Sequence, residues 1–311
     1  MDWLHDFDEE LRLVFQDCSN IISGFPEPIR AQGLSYLEQF NVFSTGSHKN
    51  YICYLLPFWL RDGYGLTDAE VRQLSAGNVF CMLYFFIQDD LIDSSEDSAA
   101  RKLPLANLLY VEFLNRYRPL FPSDSLFWLC FNRYILEWAD SMAGEAHGDY
   151  FLNDRLKISH KASPLKLTST AILLYSGNAS MIAEAEDILH TILLTLQMLD
   201  DYEDWEQDLA GGSYNCLLSL ACSHFNTQRE ALTKARVKDY IFTTGGLADY
   251  AGTALSNHRK LEHCHLNAPH LISFHQVMVK NLQHMAAAIE AEKQLLQHGG
   301  LSYWLSKHIN L

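Results

Sequence analysis

The sequence predicts an all-α protein, and three observations carry that reading. Apolar residues recur at helical spacing almost throughout. No segment shows the alternation of a half-buried strand. Gly, Pro and N-cap residues fall at the breaks between the periodic runs. A single domain over residues 1–311 is expected, because no long linker, repeat or low-complexity tract occurs. The most polar connection, DSSEDSAARK at 93–102, is too short to separate domains.

The elements follow in order. The first helix, at 3–20, lies in an acidic amphipathic start, MDWLHDFDEELRLVF, which lacks the basic opening and long apolar centre of a signal peptide. GFPEP at 24–28 precedes a helix at 28–40, and STGS at 44–47 one at 49–61. LTDAE at 66–70 opens a helix at 67–92, with Thr67 and Glu70 at the spacing of a capping box. Helices at 103–117 and 124–145 come next, the second announced by FPSDS at 121–125. Further helices are read at 149–158, 164–178, 181–208, 213–222, 227–242 and 244–260. NAP at 267–269 opens one at 269–296, and a last helix covers 299–308. Two of these, 67–92 and 181–208, are nearly uncharged until their C-terminal ends, as central buried helices are.

A net charge of −15 argues against nucleic acid and anionic membrane surfaces, which need clustered Lys and Arg. No uncharged apolar run is long enough for a transmembrane helix. The seven cysteines are odd in number, form no CxxC pair and sit mostly within apolar patterns. They read as reduced core residues, and a cytoplasmic location is expected. The HCH run at 263–265 has no partner spacing for zinc and reads as a loop or helix end.

The ends of the two central helices break the pattern. IQDDLIDSSED carries Asp89, Asp90 and Asp93, and QMLDDYEDWEQD carries Asp200, Asp201, Asp204 and Asp208. Like charges about 4 Å apart repel by roughly 4 kcal/mol at an effective dielectric near 20. A helix C-terminus already bears partial negative charge, so these acids sit at the wrong end. Asp89 and Asp93 share a helix face, and Asp200, Asp204 and Asp208 stand at i, i+4, i+8. A hard divalent cation resolves the conflict, since Mg²⁺ takes carboxylate and phosphate oxygens.

DDLID at 89–93 and DDYED at 200–204 resemble the paired aspartate motifs of the class I isoprenoid synthases, which include trans-prenyl diphosphate synthases and terpene synthases. The resemblance spans about residues 45 to 225. It implies a helical bundle around a deep apolar cavity with the motifs facing across its mouth. It also implies three Mg²⁺ ions and a prenyl diphosphate substrate. Asp89, Asp90, Asp93, Asp200, Asp204 and Asp208 would bind metal, with Asp201 counted in the catalytic set. SPLKLTSTAILLYSG at 163–177 is similar to the family's lysine segment, with Lys166 the better match for the diphosphate lysine and Lys161 the second. Arg155 stands where many microbial terpene synthases place a diphosphate-sensing arginine. Tyr84 and Phe85, just before Asp89, would floor a pocket for a short prenyl chain, roughly C10–C15. Dimers are common in the superfamily, so a homodimer is an expectation.

Departures from the elongating enzymes point toward a terpene synthase. Lys49 is followed by Asn50 rather than arginine, Arg101 and Lys102 come late after the first motif, and AGGSYN replaces a Gly-Lys segment after the second. The three-aspartate stripe has the spacing of a terpene synthase metal motif, although the C-terminal Arg-Tyr pair of those enzymes is absent. The expectation is therefore a Mg²⁺-dependent lyase that ionises an acyclic prenyl diphosphate and converts it to a terpene hydrocarbon or alcohol. Its alternatives are a trans-prenyl diphosphate synthase or other prenyltransferase, and a non-catalytic regulatory subunit.

Overall fold

The structure, a computed structural model, describes residues 3–48, 50–93, 101–145 and 148–308, without the side chains of 93, 298 and 301–308. Among the described residues it holds fourteen α-helices and no strand. They are α1 (Asp8–Ile22), α2 (Ile29–Gln39), α3 (Tyr51–Tyr64), α4 (Asp68–Asp93), α5 (Leu103–Tyr117), α6 (Leu126–Gly144), α7 (Tyr150–Asn153), α8 (Arg155–His160), α9 (Lys166–Tyr175), α10 (Ile182–Gly211), α11 (Cys216–Phe225), α12 (Lys234–Phe242), α13 (Gly246–Leu261) and α14 (Pro269–His308). The all-α expectation holds. No described helix is long and apolar enough to cross a membrane.

The chain forms two compact units, each assembled from three stretches of sequence: 1–138, 162–186 and 265–271 in the first; 139–161, 187–264 and 272–311 in the second. Such interleaving leaves no linker for a sequence to reveal. One domain over 1–311 remains our proposal.

In the first unit α4 begins as its sequence dictates. Thr67 N donates to Glu70 Oε2 at 2.8 Å and Glu70 N to Thr67 Oγ1 at 3.4 Å, a reciprocal capping box. Just upstream, Gly65 takes the left-handed conformation that ends α3, and its N–H closes on Arg61 O at 2.9 Å. The core is aromatic: Trp59, Tyr54, Phe58, Phe80, Phe113, Tyr117 and Phe127 are all buried. Phe121, Phe127, Tyr117, Phe113 and Tyr110 follow one another ring to ring at 4.2–6.0 Å.

The second unit packs Leu194, Met198 and Trp205 of α10 against Leu217 and Leu218 of α11 and Tyr250 of α13. Each fully buried leucine contributes about 1.5–3 kcal/mol. Most boundaries shift by a few residues from the sequence reading, and three differ in kind or by more. The helix read at 149–158 divides at Asp154, whose φ of −154° and ψ of 83° leave the helical region. The helix read at 227–242 begins only at Lys234, where Thr233 caps it by accepting from Arg236 N. The last two predicted helices form one run, Pro269–His308, kinked at Gly300 with φ 46°.

Candidate active site

The first aspartate motif ends α4 in the first unit. Asp89 is half-buried and Asp90 exposed. Lys102, at the start of α5, donates to Asp90 Oδ2 at 2.6 Å, with its ammonium 5.1 Å from the centre of the Tyr36 ring. Burial, then the charges of Asp90 and Asp89, push the Tyr36 phenol upward, so this ring from α2 also borders the motif. Lys102 thus brings the motif a cation despite its late place in the sequence. The side chain of Asp93, and Lys49, Glu96 and Asp97, lie outside the described residues.

One turn upstream, Tyr84 and Phe85 line a cavity of about 450 Å³ together with Tyr110, Phe131, Asn132, Ile135, Leu136 and Trp138. Its rings hold one another: Tyr84 lies 4.8 Å from Tyr110 and 5.0 Å from Phe85, and Phe85 meets Trp138 edge-on at 5.0 Å. Spacing put Tyr84 and Phe85 near the motif. Their cavity partners come from α5 and α6, which no local motif could indicate.

The two candidate lysines have different environments. Lys166 is completely buried in the first unit. Its Nζ donates to Glu137 Oε2 at 2.5 Å and lies 4.5 Å from the Tyr134 ring centre. Ser163 Oγ donates to the same carboxylate at 2.7 Å. Burial pushes the Lys166 ammonium downward, against the pull of Glu137. Lys161 belongs to the second unit, is partly exposed, and pairs with Glu145 at 2.6 Å. Burial pushes the carboxyls of Asp201 and Asp208 upward, and the Lys161 charge opposes that rise at both. Lys161, the second choice from sequence, is therefore the lysine grouped with the second motif. Arg155, also in this unit, donates through Nε to Phe151 O at 2.9 Å and stacks its guanidinium 4.4 Å from the Phe151 ring centre.

The second motif divides by helix geometry. Each residue turns about 100°, so Asp208 drifts about 80° from Asp200 and comes within about 20° of the direction of Asp201. Asp200 and Asp204 are exposed. Asp201 is only 3% exposed, beside buried Trp205. Asp201 accepts from Cys216 N at 2.5 Å and Gln197 Nε2 at 2.7 Å. Asp208 accepts from Asn215 Nδ2 at 2.8 Å, and its backbone carbonyl accepts from Arg229 Nη2 at 3.0 Å. Lost hydration, then the charges of Asp201, Asp204, Glu203 and Asp208, push Asp200 up to about 6. A carboxylate crowded by other carboxylates, in an all-oxygen donor set that reaches solvent, suits a hard divalent cation. Asn215 and Gln197 were missed. The signal for Asn215 was an N-cap residue directly before the apolar CLLSLAC.

No protein-family model matches the sequence, and no curated protein matches it. Among solved structures, the geranylgeranyl pyrophosphate synthase of Lactobacillus brevis ATCC 367 matches with a TM-score of 0.67. The match covers 89% of this chain and 98% of that one, at 18% identity. The chain has the all-α isoprenoid synthase fold. At this identity the likeness speaks for the fold and leaves chemistry to the residues. Within this isoprenoid synthase fold, both motifs end long helices, as read from the sequence.

Proposed function

We propose that the protein is a Mg²⁺-dependent prenyltransferase that ionises an allylic prenyl diphosphate and joins the cation to a second isoprenoid, in preference to the terpene synthase suggested by spacing. The observation that carries this reading is the engagement of Asp208 by Asn215. It occupies one carboxylate oxygen of Asp208, the third member of the cyclase stripe, while Asp200 and Asp204 are the exposed pair of the second motif, which supports the form of an elongating enzyme's DDxxD. The fold likeness to a geranylgeranyl pyrophosphate synthase and the cation that Lys102 brings to Asp90 support it further.

In this reading Asp89, Asp90, Asp93, Asp200 and Asp204 would hold the metal. When bound, Mg²⁺ supplies Lewis-acid stabilisation of the departing diphosphate. Lys161 would take a phosphate oxygen on exchanging Glu145 for it, with Arg155 as a second cation. The Tyr84 and Phe85 cavity would receive the allylic chain, and its aromatic faces favour positive charge. The C–O bond breaks with its electron pair leaving on diphosphate. The double bond of the second isoprenoid then attacks the carbon, and loss of a proton restores neutrality.

The terpene synthase remains the second reading, because Asn50 and AGGSYN weaken a site for a second diphosphate. One assay decides. The purified protein is given Mg²⁺ and C10, C15 or C20 prenyl diphosphates, with and without isopentenyl diphosphate. Elongated diphosphates appearing only with the second substrate are expected. Hydrocarbon or alcohol formed without it would overturn the transferase in favour of the lyase, and activity only after a partner protein is added would indicate a regulatory subunit. Asp89→Ala or Asp200→Ala should nearly abolish turnover while helix content stays intact, and normal activity in either would sink both enzymatic readings.

A further inference from the structure

We infer that Asn215 is a positioning residue for the second aspartate motif, bracing α10 so that Asp200 and Asp204 face outward while Asp201 and Asp208 are held in the protein. The inference rests on the metal role proposed for Asp200 and Asp204. Asn215 is 1% exposed. Its Oδ1 caps α11, accepting from Leu217 N at 2.9 Å and Leu218 N at 3.0 Å. Its Nδ2 donates to Asp201 O at 2.7 Å and to Asp208 Oδ2 at 2.8 Å. A primary amide has two donor hydrogens and two acceptor sites, so this side chain is fully used. The next residue adds a contact, because Cys216 N donates to Asp201 Oδ2 at 2.5 Å.

The brace acts at two levels of α10. Asp201 and Asp208 lie seven residues apart, two turns and about 10.5 Å along the axis. Because one nitrogen, Asn215 Nδ2, reaches these two residues at 2.7 and 2.8 Å, the Asp208 side chain folds back toward Asp201, and this shared point fastens one side of α10 to the start of α11. Asp200 sits about 100° around from Asp201 and Asp204 about 60°, so the same contacts turn Asp200 away from α11, and both carboxylates are exposed. At the far end Arg229 Nη2 ties Asp208 O at 3.0 Å to Ser213 O at 2.6 Å, fixing the loop that delivers Asn215. Gly212 turns that loop with φ +78°, and Gly212 N and Ser213 N both close on Asp208 O. The short AGGSYN connection, which looked like a lost basic segment, is thus the support of the motif.

The test separates the cap from the brace. Asn215→Asp keeps a good N-cap for α11 but replaces both donor hydrogens with a carboxylate facing Asp208 and the Asp201 carbonyl. Adding Asp208→Asn to that variant restores a donor–acceptor pair of reversed polarity at position 208, though not the donor to the Asp201 carbonyl. Calorimetric binding of inorganic diphosphate is followed across Mg²⁺ concentrations at 25 °C, alongside thermal unfolding of the metal-free protein. Groups that orient metal ligands typically account for 10–100-fold in metal affinity. Asn215→Asp should therefore raise the Mg²⁺ needed for half-maximal binding about tenfold, and the double variant should return it to within about threefold of the parent. An unchanged Mg²⁺ requirement in Asn215→Asp, even with a lower melting temperature, would reduce Asn215 to a structural cap and overturn the inference. So would a double variant no better than the single one. Asn215→Ser, which keeps a cap but cannot brace, replaces Asn215→Asp if the latter does not fold and is expected to shift the requirement the same way. A parent protein that binds no diphosphate with Mg²⁺ would instead refute the proposed function, a different failure from a parent that binds and a variant that matches it.

Discussion

Asp200, although exposed, has a carboxyl that lost hydration and neighbouring carboxylates both perturb. Its folded pKa, about 6, lies above the ordinary 3.8, so the folded state holds a proton more tightly than the unfolded chain. Ionised at pH 7, it opposes folding, and the opposition fades as pH falls from about 6 toward 3.8. Asp200→Asn should therefore stabilise the metal-free protein at pH 7, by about 1 kcal/mol after solvent screening, and have no such effect near pH 3.5. The same substitution should remove turnover. Denaturant unfolding at both pH values checks it, and a destabilised variant at pH 7 would refute the electrostatic account. Helical spacing made Asp200 and Asp204 legible in the sequence as a pair. It could not show that Asp208 drifts toward Asp201, because an i, i+4, i+8 row looks straight in text and winds by 40° a step in three dimensions. Lys161 and Lys166 were equally hard to rank. Four residues separate them, yet one pairs with Glu145 in the second unit and the other is buried against Glu137 in the first.

Among the elements, starts with side-chain caps were easier to read than breaks made by tertiary packing. The Thr67–Glu70 box predicted the start of α4 to within a residue. The interruption at Asp154 carries no Gly or Pro, and it follows a short helix whose Tyr150 and Phe151 are buried in the second unit's core. The packing of α13 on α14 was likewise invisible, and it buries a pair of histidines. His258 and His275 meet Nδ1 to Nδ1 at 2.9 Å, one donating to the other, with rings 5.1 Å apart. His275 has no exposed surface, and burial followed by the His258 charge pushes it down to about 3. His258 is lowered too, by burial, with Glu262 raising and Lys280 lowering it. Folded pKa values below the unfolded value near 6.5 mean that the unfolded chain binds more protons in acid. Stability from this pair is complete above about pH 6.5 and declines as pH falls toward 3, by roughly 1.4 kcal/mol per pH unit per proton. Between pH 7 and pH 5 the parent should lose about 2 kcal/mol through His275. His275→Leu should flatten that part of the profile, and identical slopes for the two proteins would exclude the pair as its source. Asp200 works in the opposite sense over the same window, so the comparison must be parent against variant rather than one absolute curve.

For the whole molecule, the net charge of −15 and the acidic ends of α4 and α10 mean that the metal-free state carries charge it does not neutralise internally. General screening by salt relieves the dispersed part of this repulsion, but not selectively. A ligand that binds only the folded state stabilises by RT ln(1 + [L]/Kd), about 2.7 kcal/mol at a hundredfold excess over Kd. For a protein of this size that corresponds to a melting shift of a few degrees. If the two motifs form a metal-dependent diphosphate site, Mg²⁺ and inorganic diphosphate together should raise the melting temperature by more than the sum of either alone. NaCl at equal ionic strength should reproduce only the non-selective part, and Asp200→Asn should lose the synergy while keeping the salt response. Additive shifts would mean that metal and diphosphate bind separately or not at all, which a class I isoprenoid synthase site cannot accommodate. Because no turnover is needed, the measurement probes the site before any choice between transferase and lyase, and either chemistry requires it to succeed.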